Sequence, residues 1–309
     1  MKILVIRLSS IGDIVLTSPV TRVLKKQLNA EVHFLTKRPF ISWLSHSPYI
    51  DKIHSYESGA EALKAEKFDY IIDLHNNLRT LRLKRQLNIP SKSVNKLNVK
   101  KWLLTTFKWN LMPNVHMVDR NLDTVKFLGL KNDGEGLDFF IPEDETLPNE
   151  FRFNKPFVAI VIGGQHATKI LPTFKIISLC RQINRSFVLV GGPEDANRAD
   201  EIIEQTEMGI SACGKLSLTQ SALLVKGAEY IVSHDTGMMH ISAALKKKIY
   251  SVWGNTVPAF GMVPYQSDPE SIMVENKNVG CRPCSKIGYS KCPRGHFKCM
   301  KEIDLSVIE

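Results

Sequence analysis

Short apolar runs punctuate the chain, and the stretches between them carry apolar residues at helical spacing. In the first half, KILVIRL (2–8), EVHFLT (31–36) and DYIIDL (69–74) are continuous enough to predict buried strands. A helix is predicted over about 14–27, and another within HMVDRNLDTVKFLGL (116–130). The pattern then breaks. PEDETLPNEFRFNKP (142–156) is polar, holds three prolines and has no period, so it predicts an interdomain linker. Afterwards the alternation resumes. FVAIVIGG (157–164), SFVLVGG (186–192), EYIVSHD (229–235) and IYSVWG (249–254) predict strands, with helices from Pro193 to about Glu207 and through HISAALK. Strands alternating with helices predict parallel sheets covered on both faces. The expected class is therefore α/β, with one doubly wound domain over 1–150 and a second over 151–309. Such sheets bind ligands beyond the carboxyl ends of their strands.

Length and composition agree with this layout. At roughly 100–200 residues per domain, 309 residues suit two domains. Apolar residues at 43% and charged residues at 23% are those of a globular chain, not a disordered one. No run approaches the ~18 apolar residues of a membrane span. Arg7, Gly12 and Asp13 interrupt the first apolar run as a secretory signal would not, so a cytoplasmic location is expected. The formal charge of +10 favours an anionic partner, whether a phosphorylated substrate, acidic headgroups or nucleic acid, or else reflects a generally basic surface.

Four strand-to-helix junctions carry residues with chemistry. In SSIGD (9–13) one glycine permits a tight turn, and Asp13 stands at the head of a helix, either as a general base or as a helix cap. The absence of GxGxxG excludes the dinucleotide fingerprint there. In HDTGMMH (234–240) the backbone N–H groups of Thr236 and Gly237 open a helix and suit an anion, and His240 lies one turn on. An ordinary helix capped by Asp235 or Thr236 has the same pattern. IGGQHATKILP (162–172) places Lys169 close to a glycine turn, where its ammonium suits a diphosphate, although P-loop spacing is absent. In GGPED (191–195) Glu194 either accepts ribose hydroxyls or favours the first turn of a helix electrostatically.

Taken in order, R-L-S-S-I-G-D, G-G-Q-H-A-T-K-I-L-P, G-G-P-E, C-G-K-L-S-L, S-H-D-T-G-M-M-H-I-S-A-A-L and the tail C-P-R-G-H-F-K-C-M resemble glycosyltransferase family 9, the ADP-heptose:lipopolysaccharide heptosyltransferases. The resemblance runs over nearly the whole chain. It implies a GT-B fold, two Rossmann-like domains facing across a cleft, with the acceptor on the first and a nucleotide sugar on the second. By the same resemblance Asp13 is the general base, Lys169 a phosphate contact and Glu194 a ribose contact. Asp235, Thr236, Gly237 and His240 form the diphosphate block. The family pattern Arg-Trp-Pro after the lysine is replaced here by Ile170-Leu171-Pro172, which bears on the donor sugar more than on the reaction.

A positioned carboxylate speeds attack by a hydroxyl about 10²–10⁴-fold. Lys169, His240 and the backbone donors would stabilise the charge growing on a departing nucleoside diphosphate. No Asp-x-Asp pair occurs, so the expectation is an inverting transfer with no catalytic cofactor or metal. The basic segment 79–109 carries Arg79, Arg82, Lys84, Arg85, Lys92, Lys96, Lys100, Lys101 and Lys108, with Trp102, Phe107 and Trp109 between them. That mixture suits an acceptor at an anionic membrane surface, a single-stranded nucleic acid, or a solvated helix face.

Of six cysteines, Cys180 and Cys213 stand alone as small core residues. Cys281, Cys284, Cys292 and Cys299 crowd the tail and either hold a structural zinc, with His296 as a substitute ligand, or stay reduced. The expected partners are a nucleoside-diphosphate sugar and a lipopolysaccharide precursor at the inner face of the inner membrane. A GT-B nucleotide-sugar epimerase and a basic nucleic-acid-binding protein are the alternatives. Nucleic acid is not expected, because no RNP, KH or helix-turn-helix signature is present.

Overall fold

The computed structural model describes residues 1–309. The chain forms two compact units, Met1–Lys96 with Val115–Pro142, and Leu97–Asn114 with Glu143–Glu309. Leu97–Asn114 pack with the second unit rather than with their sequence neighbours. The Lys108 ammonium donates to the carbonyls of Cys281 (3.0 Å) and Pro283 (2.8 Å), and Lys101 sits over the Phe260 ring.

The first unit is built on strands β1 (Lys2–Ile6), β2 (Glu31–Thr36), β3 (Lys52–Ser55), β4 (Tyr70–Asp73) and β5 (Ser91–Ser93), all parallel, in the order β3-β2-β1-β4-β5. The second uses β6 (Val158–Val161), β7 (Phe187–Val190), β8 (Gly209–Ser211), β9 (Ile231–His234), β10 (Ile249–Trp253) and β11 (Ile272–Glu275), in the order β11-β10-β9-β6-β7-β8, also parallel. Each order reverses direction once, between β1 and β4 and between β6 and β9, which makes both units doubly wound. The central strands read as unbroken apolar runs because helices cover both faces of each sheet. Ile3, Leu4, Val5 and Ile6 are wholly buried. At roughly 1.5–3 kcal/mol for each fully buried large aliphatic side chain, such strands anchor the sheets.

The edge strands β3, β5, β8 and β11 did not stand out in the sequence, being three or four residues long and partly polar. The helix expected over 14–27 is two helices, Ile11–Val15 and Ser18–Leu28. The second restarts with Pro19 in its first turn, where a missing N–H costs nothing. The helix expected within 116–130 covers only Met117–Leu122. There the Thr124 hydroxyl bonds the Asn121 carbonyl and competes with the helical ladder, and Gly129 at φ 77° closes a short 3₁₀ turn. The stretch 142–156 has no regular structure beyond a 3₁₀ turn at Asn149–Phe151, whose Phe151 is buried.

Candidate active site

In the first unit the chain leaves β1 through Arg7 and turns into the helix Ile11–Val15. Asp13 lies in that helix's first turn and is about 30% exposed at its side chain. Arg7 is buried. It meets Asp13 Oδ1 at 2.7 Å and donates to the carbonyls of Ser9 and Leu74, so one guanidinium ties the ends of β1 and β4 to the carboxylate. The Ser10 hydroxyl donates to Asp13 Oδ2 at 3.1 Å. Burial pushes the Asp13 carboxyl up, but the Arg7 charge and hydrogen bond, with those from Ser10, outweigh it and hold it below the usual carboxylate range. The cap of this helix is Ser10, with Asp13 reaching back to it. Asp13 therefore helps to start its helix and also offers an ionised carboxylate to solvent.

Other residues gather at the same switch point. Asp73, at the end of β4, accepts the backbone N–H of His75 (3.1 Å) and Asn76 (2.7 Å) and pairs with Lys84 at 2.9 Å. Burial and the charges of Arg7 and Lys96 push His75 down to about 4, and burial followed by Arg7 lowers Lys96. A neutral imidazole and a half-buried ammonium thus share the field of Asp13. Sequence reasoning used Arg7 as an interruption of the apolar run and as the first residue of the R-L-S-S-I-G-D motif, Lys96 only as part of a charge run, and it passed over Asp73 and His75. The available signal was position: each lies at or beyond the carboxyl end of a strand, Arg7, Asp73 and His75 at the central β1 and β4 and Lys96 past the edge strand β5.

In the second unit the structure brings together two junctions that are 66 residues apart in sequence. Lys169, in the 3₁₀ turn Ala167–Lys169 after β6, meets Asp235 Oδ2 at 2.6 Å and donates to the Asp235 carbonyl at 3.1 Å. Thr256, after β10, donates its hydroxyl to the same Oδ2 at 2.9 Å. Thr236 caps the helix Gly237–Ala244, with Gly237 as the first helical residue and His240 buried one turn on. The first N–H groups of a helix have no partner within it, so this end suits an anion, and the Lys169 ammonium stands beside the Asp235 that precedes it.

The backbone of this loop is fixed by His234, a residue sequence reasoning had not assigned. Its Nε2 accepts the Leu171 N–H at 2.9 Å, and burial pushes its pKa down to about 3, so the ring is neutral. Glu194 is exposed, with its carboxylate folded against Gly192. The buried acid of GGPED is instead Asp195, which accepts the Gly192 N–H at 3.0 Å. A side chain at Gly163 or Gly191 would meet the Asp195 carboxylate within 3.0 Å, which explains why glycines end β6 and β7.

Residues 57–291 match the model of glycosyltransferase family 9 (heptosyltransferase). This chain belongs to that family. The match takes in every second-unit residue just described, whereas Asp13 lies ahead of it. Lipopolysaccharide heptosyltransferase 1 of Campylobacter coli is 25% identical, over 83% of this chain and 84% of its own length. Among solved structures, a family 9 glycosyl transferase from Veillonella parvula superposes with a TM-score of 0.72 at 22% identity, covering 90% of this chain and 86% of its own. The E. coli heptosyltransferase WaaC with ADP superposes at 0.67 with 19% identity, covering 88% and 92% respectively. The shared fold is the pair of Rossmann-like units called GT-B.

The basic segment of this family 9 glycosyltransferase is divided between the two units. Exposed Arg79 and Arg82 lie on the helix Leu78–Leu87 of the first, while Lys100, Lys101 and Trp102 lie on the helix Asn98–Phe107 packed with the second. Lys84 is spent on Asp73 and Ser93, and Lys108 on carbonyls of the tail. Trp102, Phe107 and Trp109 touch in sequence, with successive ring centroids 5.3 Å apart, and all three are exposed, as are Val99 and Leu111. No helix is long and apolar enough to cross a membrane.

The tail cysteines are all free thiols. Cys281 Sγ lies 4.0 Å from Cys284 Sγ and 3.7 Å from His296 Nε2. Burial pushes the Cys284 thiol up to about 12 and Cys299 to about 11. Arg282 fastens the segment to the unit, donating to the carbonyls of Trp253, Gly254, Thr256 and Asn276 and to the Glu275 carboxylate at 3.0 Å. Cys180 and Cys213 are buried in the core, where burial raises their thiols to about 12 and about 11.

Proposed function

We propose that this glycosyltransferase moves a heptose from ADP-heptose to a lipopolysaccharide core acceptor, with inversion and without a catalytic metal. The observation that carries the reading is the meeting of Lys169 with Asp235 at the head of the Gly237–Ala244 helix, at the β6/β9 switch point. It gathers an ammonium and unpaired backbone donors where a diphosphate would lie. The names of relatives support it, namely a lipopolysaccharide heptosyltransferase and an ADP-bound heptosyltransferase structure.

Asp13 takes the proton of the acceptor hydroxyl as the new C–O bond forms. A carboxylate held below its usual range is a weak base, but the hydroxyl grows more acidic as it attacks an electron-poor anomeric carbon. Charge building on the leaving diphosphate is met by Lys169, by the backbone N–H groups at Thr236 and Gly237, and by His240. Glu194 and Asp195 flank the ribose side. Ile170 packs against Gly164 and Leu171 is buried, so these replacements of the family's Arg-Trp leave the donor pocket less basic.

For the acceptor, we place the Trp102–Phe107–Trp109 cluster and Lys100 in the interface of an anionic bilayer, since tryptophans favour that depth and each basic residue there gains about 1 kcal/mol. ADP release from ADP-heptose should require a lipopolysaccharide precursor, and the protein should co-sediment with anionic but not zwitterionic vesicles. Trp102→Ala with Trp109→Ala should abolish the sedimentation. Nucleotide-sugar turnover with no acceptor would point to an epimerase instead, and sedimentation unchanged by the double substitution would remove the membrane role.

For the tail, we propose that a structural zinc is held by Cys281 and Cys284, with Cys292, Cys299 or His296 completing the set. The pairs at 4.0 and 3.7 Å support it. Elemental analysis of zinc-loaded protein should find about one zinc per chain fewer in the Cys281→Ser/Cys284→Ser variant than in the parent. Equal zinc content and equal melting temperature in the parent and that variant would overturn it.

A further inference from the structure

Away from both junctions, the first unit holds the one group of three His, Cys, Asp or Glu side chains whose ligand atoms all lie within 4.8 Å of one another: His33, His54 and Glu66. His33 is on β2 and His54 on the edge strand β3. Leu35 is the register partner of His54, two residues beyond His33, so both imidazoles project from the same face of the sheet. Glu66 reaches that face from just beyond the helix Gly59–Lys64. His33 Nδ1 lies 2.8 Å from His54 Nε2 and 3.9 Å from Glu66 Oε2. The Phe68 ring packs edge-on against both imidazoles and limits their rotation.

We propose that His33 Nδ1, His54 Nε2 and Glu66 Oε2 bind one borderline divalent cation of the zinc class, which fastens edge strand β3 to β2. Two imidazoles and a carboxylate are donors for zinc and its neighbours rather than for magnesium or calcium. The outer shell fits as well. His33 Nε2 lies 2.9 Å from Glu31 Oε1, the carboxylate–histidine arrangement that turns the other ring nitrogen, Nδ1, toward a metal as a lone pair.

The adjustment required is small. Bonds of about 2.0–2.1 Å at tetrahedral angles place ligand atoms about 3.3 Å apart. The two nitrogens must part by about half an ångström, and the Glu66 carboxylate must swing in toward both imidazoles from within 4.8 Å. His54 shifts its proton from Nε2 to Nδ1 through solvent, with no net proton change. Lys2, now 3.4 Å from Glu66 Oε2, gives way to the cation and keeps Glu31 at 3.1 Å, while Lys52 stays on Oε1. The cluster lies on the body of the strands, apart from the carboxyl ends where Asp13 stands. The bound ion would therefore act on the edge of the sheet and not on the transferred sugar.

The test is cobalt and zinc titration of metal-stripped full-length protein. The parent should bind one Co²⁺ with absorption free of thiolate-to-metal charge transfer, retained in the Cys281→Ser/Cys284→Ser variant. Zinc should raise the melting temperature and slow hydrogen exchange at β3, and magnesium should do neither. His54→Asn and Glu66→Gln should each abolish the thiolate-free site. Glu31→Gln, which touches only the outer shell, should weaken it by about 10- to 100-fold. Two folded variants, His54→Asn and Glu66→Gln, that bind like the parent would overturn the site, as would a cobalt spectrum wholly of thiolate type or no binding in the cysteine variant. Because the cysteine variant removes only the tail, failure of either metal proposal leaves the other readable.

Discussion

Asp13→Asn is expected to lower turnover by about 10²-fold or more while leaving ADP affinity nearly unchanged. The amide keeps the size of the side chain; its oxygen can still accept from Arg7 while its NH2 donates to the Ser10 hydroxyl, so the turn into the helix survives while the proton acceptor is lost. The pH dependence adds a second readout. Because the folded carboxyl titrates below its unfolded value of about 3.9, the Arg7–Asp13 pair contributes stability that is fully present above that pH. The contribution disappears as pH falls through the lower, folded value. The melting difference between parent and Asp13→Asn should therefore be constant near neutrality and shrink only below about pH 4. Likewise, the parent's turnover should show no acid limb from this group above about pH 4. Near-parent turnover in Asp13→Asn would reduce Asp13 to a partner of Ser10 at the helix start.

Lys169→Ala is expected to weaken ADP binding by roughly 10- to 100-fold, since a charge-assisted hydrogen bond is worth about 1.5–3 kcal/mol. It should also slow turnover, because charge on the leaving group grows in the transition state. The single substitution leaves the buried Asp235 carboxylate with only Thr256, and breaking a buried pair costs about 3–5 kcal/mol. Part of the effect is then loss of stability. The double variant Lys169→Met/Asp235→Asn separates the two contributions. It should recover most of the melting temperature and none of the ADP affinity, measured by calorimetric titration. His240→Ala, one turn into the same helix, should lower ADP affinity over the same range. ADP affinity restored in the double variant, or unchanged in both single variants, would remove the diphosphate from this junction.

The fold class and the candidate positions for chemistry were readable from the patterning of the chain alone. Unbroken apolar runs such as KILVI and FVLV can be satisfied only by strands covered on both faces, and the residues that follow such strands fall at the ligand-binding edge of the sheet. Asp13, Lys169 and the Asp235–His240 block could be singled out as candidates for that reason. Which of these junctions meet, and which side chains serve as supports, depends on the packed fold. Lys169 finds Asp235 because the strand order sets β6 beside β9, a pairing between segments 66 residues apart that no local pattern encodes.

The same long-range packing anchored Arg7, the clamp on Asp13, to the Leu74 carbonyl, and made His234 the neutral acceptor that holds the Leu171 backbone. It also drew Leu97–Asn114 onto the second unit and set His33 beside His54 on adjacent strands. Periodicity records how each segment divides between core and solvent. Which segments become neighbours is settled by sheet order and side-chain packing, whose contacts join residues too far apart in sequence for any local pattern to show.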